Sequence, residues 1–335
     1  MIYFVHISDL HFGEKLANSG RGLIPHQRPH NLAKCLGLPS GINLAIDEAE
    51  MPDNAVLRVI ASGDLSVSGA TQELAVAHAF LRSRVSISRL SAPYGAMGLD
   101  TPSDLLGAIP GNHDHWNGNR TTLKPYNGNI FDEQFRSTPW VKEWRSHNND
   151  FDLDVFGIDT NSGWNPDLSP LLSRRRAGLL SLGRISDQEF KLLEQKLRRS
   201  VAKRTQTVRA IVCHHSISYR GGRSGKLELE AASRDRLLQL AAAYHVAVVL
   251  TGHTHDSHYH LEQHNDQSGN IWGIHELRCA STVGWPEKNE DESGFLFHRV
   301  TCDGTDWIWT VWRFGWDGSG YVSAPQPWQV FSGAF

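Results

Sequence analysis

The sequence predicts an α/β fold with a β-rich C-terminal part, and three observations carry this prediction. Short apolar runs rich in β-branched residues recur along the chain, and each run stops at a polar cluster. Helix-like segments lie between several of these runs. From residue 266 onward the apolar runs are instead joined by short turn signals. Strands that alternate with helices are typical of α/β proteins, whereas strands joined by tight turns are typical of antiparallel sheets.

Six apolar runs predict the strands of the α/β part, because they have the length and composition of strands buried on both faces. In chain order they are Ile2–Ile7, Val56–Ala61, Leu105–Ile109, Leu153–Ile158, Val208–Cys213 and Val246–Leu250.

Three segments between these runs predict helices. They are Thr71–Leu90, a segment from Ser186 to about Arg199, and the Ala- and Leu-rich segment Leu227–Tyr244. Ser186 and Glu189 have the spacing of a capping box, which marks the start of the second helix.

The C-terminal part predicts further antiparallel strands at Ile271–Cys279, Phe295–Val300 and Trp307–Arg313, with a hairpin turn at Asp303-Gly304. No Pro-, Gly- or Ser-rich linker divides the chain. We therefore expect a single domain over residues 1–335, with a catalytic core in residues 1–265 and a β-rich extension of the second sheet in residues 266–335.

Composition excludes several classes of protein. In 335 residues, 40% are hydrophobic and 21% are charged, which is typical of a globular chain and not of a disordered one. No apolar run approaches the roughly 20 residues of a membrane-spanning helix. The net charge of -3 argues against a protein that tracks long nucleic acid. The four scattered cysteines and the absence of a signal-like start favour the cytoplasm, and a homo-oligomer is compatible with the sequence.

Polar clusters follow five of the six predicted strands. They are Ser8-Asp9-Leu10-His11, Ser62-Gly63-Asp64, Pro110–His115, His214-His215 and Thr251–His255. Ligands of open α/β sheets bind outside the carboxyl ends of the strands, so these clusters should meet at one rim.

The side chains at this rim suit a metal centre. Two Asp carboxylates, one Asn carbonyl and four His imidazoles are borderline ligands for Mn, Fe, Ni or Zn. Seven ligands are too many for one tetrahedral ion, whereas two ions that share a carboxylate would use them all, as in two-metal phosphoryl chemistry. In Asp-x-His and His-x-His, the two side chains would point to the same side of the chain if the backbone were locally extended. Each motif alone could be an ordinary turn, but five in succession favour the metal centre.

These motifs resemble those of the calcineurin-like metallophosphoesterase superfamily. The resemblance rests on Asp9-Leu10-His11, Gly63-Asp64, Gly111-Asn112-His113-Asp114, His214-His215 and Gly252-His253-Thr254-His255. It implies a two-sheet α/β sandwich flanked by helices, and a small phosphoester as substrate.

The resemblance also implies a role for each residue. Asp9, His11 and His255 would bind the first metal. Asn112, His214 and His253 would bind the second, and Asp64 would bridge both. His113 would protonate the leaving group or stabilise the transition state, and Asp114 would orient His113.

One motif departs from part of the superfamily. Many relatives, among them the class III cyclic-nucleotide phosphodiesterases, have His-His-Pro where this chain has His214-His215-Ser216. We assign the ligand to His214, which is nearer to the predicted strand. His215 is then a substrate contact or a neutral neighbour.

The function predicted from these residues is metal-dependent phosphoester hydrolysis. A hydroxide between two metal ions would attack phosphorus in line. A phosphodiesterase acting on small diesters such as cyclic nucleotides is the first hypothesis. The alternatives are a phosphomonoesterase, a metal-dependent nuclease and a non-catalytic scaffold on the same fold.

Two segments are candidates for contacts with the substrate. The first, Glu14–Ser40, carries Arg21 and Arg28. The second follows Leu153–Ile158 and runs from Asp159 to the arginine cluster that contains Arg174. The alternative is that both are solvated surface loops. For Trp116 we expect packing rather than base stacking, and for His258 and His260 we expect exposed loop positions.

Overall fold

Two β-sheets pack face to face in the computed structural model, and helices cover the outer face of each sheet. The structure describes residues 1–13, 30–84, 97–116, 129–148, 150–163, 182–203, 206–218, 229–284, 293–324 and 326–335. The predicted class, an α/β sandwich of two sheets with flanking helices and extra C-terminal strands, is confirmed.

The strands within these ranges are, in chain order, β1 Ile2–Ile7, β2 Leu57–Ala61, β3 Leu106–Ala108, β4 Trp140–Arg145, β5 Asp152–Gly157, β6 Thr207–Val212, β7 Val248–Thr251, β8 His258–Asn265, β9 Ile271–Arg278, β10 Gly294–Asp303, β11 Asp306–Trp316, β12 Tyr321–Ser323 and β13 Gln329–Ala334. The helices are α1 Leu32–Glu48, α2 Thr71–Arg82, α3 Asn129–Gln134, α4 Asp187–Val201 and α5 Ala231–Ala243.

The first sheet has the order β12-β11-β10-β1-β2-β3, and β13 also pairs with β11. Its β1, β2 and β3 are parallel, while β10 joins β1 as an antiparallel neighbour. The second sheet has the order β4-β5-β6-β7-β9-β8, with parallel β5, β6, β7 and β9 between antiparallel edge strands. The predicted C-terminal extension is thus divided between the two sheets. Its strand β9 lies in the second, and β10–β13 lie in the first.

Three apolar layers hold the sandwich together. The middle layer lies between the sheets and includes Phe4, Trp140 and Trp309, all nearly or fully buried. The outer layers place α1 and α2 on the first sheet and α4 and α5 on the second. In α4, Phe190, Leu193 and Leu197 lie on one face and are buried, which is the apolar stripe expected of a surface helix.

The β10–β11 hairpin confirms the turn predicted at Asp303-Gly304. Asp303 pairs with Asp306, which leaves Gly304 and Thr305 as a two-residue loop. Gly304 has a φ of 64°, a left-handed conformation that tight hairpins require and glycine adopts freely.

The N-cap predicted at Ser186 is present, because its side chain accepts a hydrogen bond from the Glu189 backbone N–H at 3.1 Å. The Glu189 side chain, however, does not complete a capping box. It accepts from the backbone N–H of Asp159 at 2.9 Å instead and so ties α4 to the end of β5.

Two loop predictions are wrong. Part of the segment Glu14–Ser40 is helical, because α1 begins at Leu32 behind the N-cap Asn31, whose side chain accepts from two backbone N–H groups. His258 and His260 lie not in a loop but on the edge strand β8. Among the described residues no helix has the length and apolar character needed to cross a membrane.

Candidate metal centre and active site

The carboxyl ends of the parallel strands deliver the predicted ligands to one place between the two sheets. Asp9 and His11 follow β1, Asp64 follows β2, and Asn112 with His113 follows β3. From the second sheet, His214 follows β6, and His253 with His255 follows β7. The carboxyl ends of strands in both sheets therefore supply the candidate ligands.

One cluster consists of Asp9, His11 and His255. The Nε2 atoms of His11 and His255 lie 3.3 Å apart, and the Nε2 of His255 lies 3.3 Å from Oδ1 of Asp9. One ligand atom from each of the three residues lies within 4.8 Å of the others, so a single ion could be held by all three.

A second cluster consists of Asp64, His214 and His253. Nε2 of His214 lies 3.4 Å from Oδ2 of Asp64 and 3.1 Å from Nδ1 of His253. Ligand atoms of Asp64, His11 and His113 also lie within 4.8 Å of one another. Asp64 therefore lies between the two clusters.

The chemistry of the donor set fits cations. Oδ1 of Asn112 is buried and has no hydrogen-bond partner among the described residues. Buried polar atoms are normally paired, so this acceptor fits a cation as its partner. Burial and the neighbouring His113 lower the pKa of His11 to about 3. Burial and the neighbouring His214 lower the pKa of His253 to about 3. Both imidazoles are thus neutral near pH 7, the form that binds a metal.

The two buried carboxylates are charged. Burial alone would raise their pKa values, but the surrounding imidazoles, His214 for Asp64 and His255 for Asp9, lower both. Burial would likewise lower the pKa of His214, yet the Asp64 carboxylate raises it to about 9. Nδ1 of His214 lies 2.8 Å from the Ser62 carbonyl, so the extra proton is on Nε2, the position that a metal ion would take.

The backbone at the ligands is not extended, contrary to the prediction for Asp-x-His and His-x-His. The φ angles of Asp9 and His11 are 51° and 48°, and those of His253 and His255 are 72° and 59°. Asp64 has a φ of 51°. These are left-handed conformations that cost free energy in non-glycine residues and cluster at functional sites. The chain therefore turns sharply after each strand, and this turn aims both side chains of each pair at the centre.

Glycines make room for this packing in three motifs. A Cβ on Gly252 would collide with Oγ of Ser8 and would lie 2.8 Å from Oδ2 of Asp9. A Cβ on Gly111 would collide with the carboxylate and backbone of Asp64, and one on Gly63 would lie 2.6 Å from Nδ1 of His214. The glycines that precede Asp64, Asn112 and His253 are therefore required, because neighbouring atoms leave no space for a Cβ.

Gly252→Ala should weaken metal binding by roughly 10–100-fold, the range found when groups that support metal ligands are disturbed. The added methyl would displace Asp9, whose Oδ2 also accepts from the His253 backbone N–H at 3.0 Å. Isothermal titration with Mn²⁺ measures the effect. Gly320→Ala is the matched control, because nothing lies within 4 Å of a Cβ at Gly320. Equal Mn²⁺ affinity in both variants would contradict the packing argument.

His113 lies beside the clusters with one ring nitrogen already engaged. Its Nδ1 lies 2.8 Å from the Val67 carbonyl, so Nδ1 carries a proton and donates it. Nε2 lies 3.8 Å from Oδ2 of Asp64 and is the atom free to exchange a proton with a substrate. The Trp116 ring packs on the His113 ring at a centroid distance of 3.9 Å and a tilt of 30°, so the packing expected for Trp116 is made with the candidate acid itself.

Asp114 does not contact the His113 ring in the way the resemblance implied. Its carboxylate accepts from the backbone N–H groups of Leu65, Ser66 and Gly111 and from the Ser66 hydroxyl, at 2.7–3.1 Å. It thus joins the loop after β2 to the loop after β3. The residue that orients His113 is Val67, which sequence patterns could not identify because it acts through its backbone carbonyl.

His215, predicted to be a substrate contact or a neutral neighbour, has a fully buried side chain, which favours the second alternative. Its Nδ1 lies 2.7 Å from Oγ1 of Thr160, and its ring packs against that of His253 at 4.4 Å. His215 therefore supports a candidate ligand from behind. Arg21, Arg28 and Arg174, the other predicted substrate contacts, lie outside the described residues.

A buried polar group behind the centre was not predicted. Nε2 of His115 lies 3.1 Å from Oδ2 of Asp159 at the end of β5. Burial would lower the pKa of His115, but Asp159 raises it. Asp159 is in turn held by Glu189, which is also buried. The sequence signal for this group is the polar cluster Asp159-Thr160 after a predicted strand, in the segment that is a candidate for substrate contact.

Glu189→Gln should change how stability depends on pH. Burial raises the pKa of Glu189 to about 7 from an ordinary value near 4.5. The native state therefore binds more protons than the unfolded state between these values, and the free energy of unfolding of the native protein falls as pH rises through this window. Gln retains the acceptor for Asp159 and does not titrate. Relative to the parent, the variant should gain up to about 3 kcal/mol between pH 4.5 and pH 7.

Urea unfolding at several pH values between 4.5 and 8 measures this gain. Glu194→Gln on the same helix is the control, because Arg198 lowers the pKa of Glu194 and its loss should leave the decline in place. An identical pH dependence in Glu189→Gln and the parent would contradict the assignment.

Comparisons with known proteins agree with this geometry. A family model described as calcineurin-like phosphoesterase matches residues 2–257. The structure is similar to that of GAP50, described as the anchor in the inner membrane complex of Plasmodium, with a TM-score of 0.53 and 12% identity over 97% of this chain and 88% of that one. It is also similar to the purple acid phosphatase PPD1 of yellow lupin (Lupinus luteus), with a TM-score of 0.50 and 15% identity over 99% of this chain and 53% of that one. No curated protein gives a significant match.

Proposed function

The chain belongs to the calcineurin-like phosphoesterase family, and from this premise we propose that it is a two-metal phosphodiesterase acting on small diesters such as cyclic nucleotides. The observation that carries the proposal is the position of Asp64, which lies between the cluster of Asp9, His11 and His255 and the cluster of His214 and His253. His113 lies beside the same carboxylate.

The clusters, with Asn112 added from the family resemblance, indicate the residues that would hold the metals. Asp9, His11 and His255 would hold one ion, Asn112, His214 and His253 the other, and Asp64 both. When bound, two divalent ions would lower the pKa of a water and offset the charge that develops on the phosphoryl oxygens. Mn, Fe, Zn and Ni all suit this mixture of imidazole and oxygen ligands.

The chain itself supplies the proton for the leaving group. The Val67 carbonyl fixes the His113 ring through Nδ1, so Nε2 is the nitrogen that gives its proton to the departing oxygen. Trp116 on the ring face restricts the side chain to this orientation. A positioned general acid of this kind contributes roughly 10²–10⁴-fold to the rate.

The charge of the described centre favours diesters over monoesters. The described side chains of the centre are Asp, Asn and His, and the ion pairs among them join His to Asp. A phosphate monoester carries a second negative charge near neutral pH, which a Lys or Arg at the site would offset. A diester carries a single charge and does not need that partner.

Hydrolysis of bis-p-nitrophenyl phosphate and of p-nitrophenyl phosphate tests the proposal. With Mn²⁺, kcat/KM for the diester should exceed that for the monoester by roughly tenfold or more, and EDTA should abolish both activities. A panel of cyclic nucleotides would then identify the natural diester. Preference for the monoester would instead establish a phosphomonoesterase, and cleavage of long nucleic acid would establish a nuclease.

A non-catalytic scaffold is the competing hypothesis from another class. The description of the Plasmodium protein as an anchor belongs to that protein, and the similarity to it shows the fold alone. Against a scaffold, this chain retains His113 and every ligand that the resemblance requires. We place the enzyme in the cytoplasm, where thiols such as the free Cys35, Cys213, Cys279 and Cys302 stay reduced.

A further inference from the structure

A second cavity lies at the open edge of the sandwich, between β3 of the first sheet and β4 of the second. Its volume is about 260 Å³. None of the residues that line it belongs to the metal clusters. Its walls carry four basic side chains, His78, Arg82, Arg136 and Lys142, and two aromatic ones, Phe135 and Trp140.

No Asp or Glu is among the described residues that line the cavity, and the Asp104 carboxylate acts on Lys142 from outside this lining. Nε and Nη1 of Arg82 are buried and have no hydrogen-bond partner among the described residues. Buried guanidinium donors are costly to leave unpaired, so an acceptor is expected beside these two atoms.

Lys142 is partly satisfied by backbone oxygens. Its Nζ donates to the carbonyls of Ser103 at 2.9 Å and Asp104 at 3.2 Å, which leaves one of its three donors for another partner. Burial, and next the nearby Arg136, lower the pKa of Lys142, and the Asp104 carboxylate opposes this only in part. Burial and Arg82 also lower the pKa of His78. The cations therefore repel one another.

The floor of the cavity is rigid. The Trp140 indole lies between the two sheets, where a Cβ on Gly107 would be 2.7 Å from its ring and one on Gly157 would collide with it. Its Nε1 donates to the Ala108 carbonyl at 2.7 Å. The Trp140 wall of the cavity is therefore held in place by its own packing and hydrogen bond.

We propose that this cavity is a second binding site, separate from the metal centre, for a small phosphate-bearing anion. The guanidinium groups of Arg82 and Arg136 offer paired donors that match phosphate oxygens, and the Lys142 ammonium adds a third charge. The volume suits free phosphate or a phosphate ester whose flat group lies on Phe135. Ala108 is a wall residue and precedes Asn112 by four positions, so the site adjoins the loop that carries His113.

Isothermal titration of EDTA-treated protein with inorganic phosphate and, separately, with AMP tests the proposal. Removal of metal separates this site from binding at the metal centre, and the readout does not depend on hydrolysis. We expect one saturable site per chain for at least one of the two anions. Arg82→Gln and Lys142→Gln should each weaken binding about tenfold or more. Tighter binding of AMP identifies an ester as the ligand, and equal or tighter binding of phosphate identifies the free ion.

Arg145→Gln is the matched control, because it removes the same charge from the same strand but does not line the cavity. It should change the affinity by less than twofold. The melting temperature of each variant checks folding, and removal of one of several repelling cations should not lower it. Absence of saturable binding would overturn the proposal. Equal affinity in the parent, Arg82→Gln and Lys142→Gln would also overturn it, as would equal weakening by Arg145→Gln.

Discussion

Asp64→Asn is expected to lower kcat for a phosphodiester by roughly 10³-fold or more and to reduce bound metal from two ions per chain to one or fewer. The Asp64 carboxylate lies between both clusters, so its charge is needed by both ions. The substitution preserves shape, because the amide oxygen can still accept from the His113 backbone N–H, as Oδ1 of Asp64 does at 2.9 Å. Metal analysis and initial rates with saturating Mn²⁺ measure the two effects.

Asp100→Asn is the control for this variant. Asp100 also has a left-handed φ, 52°, but lies outside the site, so the same change of side chain on the same backbone conformation should leave activity within about twofold. Two bound ions and near-normal turnover in Asp64→Asn would contradict the role of Asp64 as the shared ligand.

His113→Ala is expected to retain both metal ions and to lose roughly 10²–10⁴-fold in kcat. The loss should depend on the leaving group. A cyclic nucleotide releases an alkoxide that needs a proton, whereas p-nitrophenolate departs more easily without one. The variant should therefore lose more activity on the cyclic nucleotide than on bis-p-nitrophenyl phosphate. Rates on both substrates, together with metal content, measure this.

His258→Ala, at an exposed position on β8, is the control and should have no such effect. An equal loss on both substrates in His113→Ala would refute the proton-donor role and favour stabilisation of phosphoryl charge. Unchanged turnover would remove His113 from the mechanism altogether.

The strands that carry the site were predictable because they are buried on both faces. β1 agrees with its prediction at both ends, and β6 and β7 agree to within two residues. A continuous apolar run followed at once by Asp, Asn or His marks both the strand and its carboxyl end. The order of these clusters along the chain is also sufficient to indicate the family.

The sequence patterns of α1 and β8 are weak or contradictory, and neither element was predicted. α1 contains Pro39 between Gly37 and Gly41, a combination typical of a loop. The helix exists because these glycines allow close packing, since a Cβ on Gly41 would lie 2.7 Å from the Tyr321 side chain. β8 was missed because an edge strand of alternating half-buried and exposed polar residues has no apolar signal.

The contacts within the site were less predictable than its composition. The left-handed backbone at Asp9 and His255 arises from the packing of neighbouring loops, which no single motif encodes. The contacts of Asp114, predicted to orient His113, and of His215, predicted to be a substrate contact or a neutral neighbour, depend on the same packing. Each is adjacent in sequence to an important residue, but adjacent side chains point to different sides of the chain, and both are buried behind it.

Titration of EDTA-treated protein with Mn²⁺ tests the central claim most directly, with bound metal and hydrolysis of bis-p-nitrophenyl phosphate measured at each point. The account predicts no activity without metal and a rise to a plateau at two ions per chain. Full activity in metal-free protein, or a plateau at one ion per chain, would contradict it.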